Sequence, residues 1–70
     1  MIPLGYKIGD RVALVYTDDP HTNLNPGDTG TVNGGNTDLN NPHFSQIWVK
    51  WDNGSSLSML PGVDRIKGVE

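Results

Sequence analysis

The chain has no cysteine. Disulfides and thiolate metal sites are excluded, and a metal would have to rest on Asp, Glu, His and carbonyl groups. The absence matters because seventy residues make one small domain, whose folding buries only about 60% of the unfolded surface. Domains of this size often lean on disulfides, metal or oligomerisation. Of the three, oligomerisation stays the most open. Basic residues are also scarce: five Lys and Arg stand against eight Asp and Glu, for a net charge of −3. Lys7, Arg11, Lys50, Arg65 and Lys67 are scattered along the chain. Binding to nucleic-acid backbones needs clustered cations, so a weak nucleic-acid binder ranks third among the functional readings. No apolar run approaches the roughly 20 residues that span a bilayer. The opening "MIPLGYKIGD" lacks the basic and long apolar regions of a signal peptide. The expected setting is the cytoplasm, away from membranes.

What is present is glycine, proline and short alternating apolar runs, the all-β pattern; no window sustains a helical period. In "DRVALVYT", Val12, Leu14 and Tyr16 point one way and Arg11, Ala13 and Val15 the other. "TGTVNGG" reads as a second strand with Val32 inward, followed by a long polar loop from Asn33 to Ser45. In "QIWVKW", Ile47, Val49 and Trp51 share one face and Gln46, Trp48 and Lys50 the other. Asn53-Gly54 predicts a two-residue type I′ hairpin turn, whose central residues both need φ > 0. The return strand sets Leu57 and Met59 opposite Ser56 and Ser58, and a last short strand carries Val63 and Ile66. Five short strands in about 60 residues fit a small closed barrel, because closure removes exposed edges.

The motifs "G-x-R-V-x-L", "D-D-P", "L-x-P-G-x-x-G-T-V", "V-x-W-D-N-G-S" and "L-P-G-V-D" all occur, in that order, between Ile8 and Ile66. In these elements the sequence resembles a family of short proteins from phages, plasmids and other mobile elements, catalogued as a domain of unknown function (four-three-one-four). The resemblance implies a five-stranded SH3-like barrel with one tight Asn-Gly hairpin and two long loops. It places a lead-in at 1–7, the barrel at 8–67 and a tail at 68–70. The piece "P-G-D-x-G-T-V" is similar to the turn between the first two strands of SH3-like and KOW-type barrels. The loop from Asn33 to Ser45 is longer and richer in Asn than the compact connection associated with the family, and with seven residues before Ile8 no helical lead-in is expected. The family name carries no biochemical activity.

The densest polar stretch is "TDDPHTNLNPGDTGTV". Asp18, Asp19, His21 and Asp28 offer oxygen and imidazole ligands. Pro20 interrupts the alternation of an EF-hand loop, however, and no Glu closes it. The simpler reading is turn chemistry, with the aspartates accepting backbone N–H bonds. A P-loop is excluded because neither Gly-Lys-Ser nor a helix follows. Gly27 and Gly30 read as backbone positions with φ > 0 and as room for close strand approach. Serines beside a hairpin, with two histidines in polar loops, do not compose a triad. No enzyme, cofactor or metal is expected. Trp48 falls out of register with the apolar face and so onto the barrel exterior, a usual anchor for partners or self-association. The competing reading has Leu39 or Phe44 folding back over it. Trp51 and Tyr16 should point inward or cap an end. The candidate binding residues are Tyr16, Asp18, Asp19, His21, Phe44 and Trp48. The leading reading is a non-catalytic module contacting a protein or a second copy of itself. The alternative is a small-ligand or nucleotide binder that sequesters a host signalling molecule.

Overall fold

The computed structural model describes residues 2–17, 23–40, 45–61 and 63–69. It is all-β. Its strands are β1 (Arg11–Tyr16), β2 (Thr29–Asn36), β3 (Gln46–Trp51), β4 (Ser58–Met59) and β5 (Arg65–Gly68), and the helical content is a 3₁₀ turn at Pro3–Gly5. The strands form one antiparallel sheet in the order β4-β3-β2-β1-β5. The last strand returns to pair with the first, which is the five-strand arrangement of an SH3-like barrel. Among the described residues no helix is long and apolar enough to cross a membrane.

The expected closure is not made by backbone pairing. No ladder joins β4 to β5 among the described residues, and an isolated bridge, Pro61 with Asp64, lies at that seam. Exposed edges are handled by brevity instead, since β4 has two residues and β5 four. Side chains reinforce the seam. The Leu60 N–H donates to Asp64 Oδ2 (2.9 Å), and the Thr17 hydroxyl donates to Asp64 Oδ1 (2.8 Å), tying the end of β1 to the last turn.

The core follows the alternation read from the sequence. Val12, Leu14, Val32, Ile47, Val49, Trp51 and Met59 are buried, and Leu24 from the first long loop joins them. Ile2 and Tyr6 pack against this cluster, so the lead-in is part of the fold. One expectation for β1 fails, that for Tyr16, and the burial of Ala13 adds a detail. Ala13 is buried although it faces away from Val12 and Leu14; it lies mid-strand between Thr29 of β2 and Lys67 of β5. Tyr16 does not point inward. Leu14 pairs with Ile66, but Tyr16 pairs with Arg65, so an extra residue bulges out of β1. A bulge breaks the two-residue period, and Val15 and Tyr16 both end on the surface.

The Asn-Gly hairpin is present with a different turn. The Gly54 N–H donates to the Trp51 carbonyl, and the Trp51 N–H to the Ser55 carbonyl, both at 3.0 Å. The loop is therefore three residues, Asp52 to Gly54, with Gly54 at φ 91° and Asn53 outside the left-handed region. This is a type I turn followed by a left-handed glycine. The choice decides which face Met59 takes. The observed register pairs Met59 with buried Ile47. A two-residue turn would shift the return strand by one and turn Met59 outward. The Asn53 carboxamide settles the turn by accepting the Ser55 N–H (2.9 Å).

The long polar loop begins later than expected, because β2 runs through Asn36 and pairs Gly34, Gly35 and Asn36 with β3. A register shift between Val32 and Gly34 admits an extra residue there. In the first loop the turn at Pro26-Gly27 is as read. Gly27 has φ 97°, and the Asp28 N–H donates back to the Asn25 carbonyl (3.0 Å).

Candidate functional site

The outer face of β2 and β3 gathers the side chains with the most to offer a partner. Alternation along β3 turns Trp48 and Lys50 outward while Ile47, Val49 and Trp51 fill the core. Trp48 is 45% exposed. Its indole is nevertheless fixed. Nε1–H donates to Gln46 Oε1 (3.0 Å), one pleat back on the same face. Its cross-strand partner is Gly34, where a Cβ would lie 2.8 Å from Trp48 Cε3. The glycine thus lets one side of the ring rest on backbone and leaves the other side open. Leu39 does not cover it, being 88% exposed itself. Phe44, the other candidate cover, lies outside the described residues.

Beside Trp48 runs an open groove of about 400 Å³. Asn33 and Lys50 line one part and Ser55, Ser56 and Ser58 the hairpin side. Its polar groups are amide, ammonium and hydroxyls. Lys50 is its one charged side chain among the described residues.

Adjoining the groove is a cluster that sequence reasoning missed. The Arg11 guanidinium meets Asp52 in a two-pronged pair, Nη1 to Oδ1 at 2.9 Å and Nη2 to Oδ2 at 2.6 Å. Arg11 also donates to the Thr31 hydroxyl (2.9 Å), and the Thr29 hydroxyl donates to Asp52 (2.6 Å). The hydrogen bonds from Arg11 and then Thr29 hold the Asp52 carboxyl well below the usual carboxylate range, and Asp52 in turn raises Arg11. The pair clips β1 to the β3–β4 turn across β2. Forty-one residues separate its members, and no local pattern announces it. Because Asp52 is depressed in the folded state, its stabilising contribution is present above the unfolded value of 3.8 and fades as pH falls below it. Asp52→Asn should accordingly lower the thermal midpoint at neutral pH. The gap to the parent should close as the pH is taken down through 3.8 and beyond, in melts followed by circular dichroism. A gap that stays constant with pH would show that the charge on Asp52 adds nothing to folding.

The other expected site residues do not assemble with Trp48. Tyr16 is exposed, but it sits at the end of β1 beside Arg65, whereas Trp48 pairs with the opposite end of β2. Asp18, Asp19 and His21 lie outside the described residues. Among the described residues no group of three or more His, Asp or Glu side chains is placed to hold a metal. Of the two glycines singled out, Gly27 is the one with φ > 0 and Gly30 the close approach. Both act in the backbone.

A family model for a domain of unknown function (DUF4314) matches residues 2–69. The chain belongs to that family. No curated protein and no solved structure matches it. Membership assigns no activity.

Proposed function

We propose that this chain is a non-catalytic binding module that works by protein–protein contact, through the outer face centred on Trp48. The observation that carries the reading is a large aromatic side chain, 45% exposed, held in place by Gln46 and by the backbone at Gly34. Ordering a loose tryptophan on binding costs roughly 0.5–1.5 kcal/mol of side-chain freedom. An indole already fixed avoids most of that cost, which is the property of a binding anchor. The partner is a second copy of the chain or a protein of the host cell. The chain fits an accessory role in a phage or mobile element, acting in the host cytoplasm. A small core gives self-association an added benefit, since burial between copies stabilises the folded state by mass action.

Light scattering over a concentration series tests the first arm. A mass above monomer that Trp48→Ala returns to the monomer value, with the fold intact by circular dichroism, would identify a second copy as the partner. A monomer mass at every concentration in both proteins would sink self-association. An oligomer that survives Trp48→Ala would sink the Trp48 face as its interface.

A further inference from the structure

Charge on the outer face is distributed in a way that names a partner chemistry. The chain as a whole carries −3, yet the groove beside Trp48 has a lone lysine and no acid among its described lining residues. The nearest acid in sequence is Asp52, in the hairpin turn two residues on from Lys50. Left alone, Asp52 would offset the lysine charge. It is instead engaged on both carboxylate oxygens by Arg11, with Thr29 added. Lys50 makes no ion pair among the described residues. The Arg11–Asp52 pair therefore cancels itself and leaves one uncompensated positive charge beside an exposed indole. Ser55, Ser56, Ser58 and Asn33 supply hydrogen-bonding groups along the same groove.

We propose that this groove takes an extended acidic peptide segment, with a proline or other apolar side chain on the Trp48 ring and a carboxylate at the Lys50 ammonium. The proposal rests on the protein-contact reading above and narrows it to a partner. An extended segment suits an open channel better than a closed pocket does. Proline-bearing segments dock on exposed aromatics because their extended form is already set. A glutamate carboxylate matches the single cation, and its unused backbone groups meet the hydroxyl row. A second copy of this chain is the less favoured occupant, since two molecules each of net −3 repel. Asp52 and Arg11 act as positioning residues: they touch no ligand and set the charge that Lys50 presents.

The test uses three capped peptides, each with two central prolines flanked on both sides by two glutamates, two glutamines or two lysines. Each is titrated into the ¹⁵N-labelled chain, and the backbone amides of Asn33, Lys50, Ser55 and Ser56 are followed. The glutamate peptide is expected to give saturable shifts, with binding about tenfold weaker for glutamine and weaker again for lysine. Added salt should weaken the first most, as for an exposed charge contact. Lys50→Glu should invert the order, and Arg11→Ala should weaken the glutamate peptide severalfold by freeing Asp52, in proteins whose spectra stay folded. Equal binding of all three peptides would overturn the acidic preference while leaving the Trp48 contact in place. An unchanged order in Lys50→Glu would overturn it as well. Groove amides unmoved by any of the three would overturn the peptide site itself, and protein contact would then rest on the light-scattering result.

Discussion

Trp51→Ala is expected to leave the chain largely unfolded at physiological temperature. Trp51 is among the largest fully buried side chains, with 1% of its surface exposed. Its ring belongs to the buried cluster that also holds Val12, Leu14, Val32 and Met59. Its Nε1–H donates to the Leu57 carbonyl (3.0 Å), which pins the return from the hairpin to the core. Removing a buried tryptophan costs about 3–5 kcal/mol. A chain of this length has on the order of 4–10 kcal/mol of total stability. The loss thus consumes from about a third to all of what holds the domain together. In a small domain it corresponds to a fall of roughly 15–30 °C in the melting midpoint. Trp51→Phe separates the two contributions, because it keeps most of the apolar surface and loses the donor to Leu57. Its midpoint should fall between the other two. Thermal melts by circular dichroism read both variants, and fluorescence adds a check, since the remaining Trp48 should emit as a solvent-exposed indole. A midpoint within a few degrees of the parent for Trp51→Ala would show that this side chain is not the keystone of the core.

The strands and the core were legible because they rest on local alternation. Along β3, Ile47, Val49 and Trp51 turn in while Trp48 and Lys50 turn out, and nothing distant has to be known to read that. The same rule failed in β1, where a bulge between Leu14 and Tyr16 flips the last residue. Bulges are set by the partner strand, here β5, which the local sequence does not reveal. The hairpin shows a finer limit. Asn53-Gly54 announces a tight turn, but two-residue and three-residue loops both use that pair. The deciding constraint is that Met59 must face Ile47, a requirement of packing rather than of turn propensity. The candidate site divides the same way. Trp48 was readable as an outward aromatic. The Arg11–Asp52 pair, and the free charge it leaves on Lys50, exist only once β1 lies across β2 from the hairpin. The wrap of the sheet was readable as well, from the strand count and turn spacing. Its open seam was not, because β4 and β5 are too short for sequence to show whether they meet.

Gly30→Ala is expected to destabilise the fold. Gly30 is buried and pairs with Val12 on one side and Trp51 on the other. A Cβ there would lie 2.7 Å from Val49 Cγ1, 2.9 Å from the Lys50 carbonyl oxygen and 3.0 Å from the Trp51 Cα. Two of those three atoms are backbone of the adjoining strand, so no rotamer change relieves the contact. Either β2 and β3 part locally or the added atom stays overpacked, at a cost of about 1–3 kcal/mol. Replacing glycine recovers only about 0.4–1 kcal/mol through the unfolded chain. The clash therefore wins, and the midpoint should drop by roughly 5–15 °C. Gly34→Ala makes the comparison. There the first atoms met are Cε3 and Cζ3 of Trp48, a side chain with solvent on its far side. The ring can swing away, so the contact itself costs little and the loss of stability is limited to seating an alanine at φ 159°. Its hydrogen bond to Gln46 and its seat on the backbone should both be lost, and peptide binding in the groove should weaken. Melts of the two variants beside groove titrations separate the cases. If Gly30→Ala melts with the parent, the close approach of β2 to β3 is not the constraint on that glycine. If Gly34→Ala binds peptide undiminished, the fixed indole is not what makes the site.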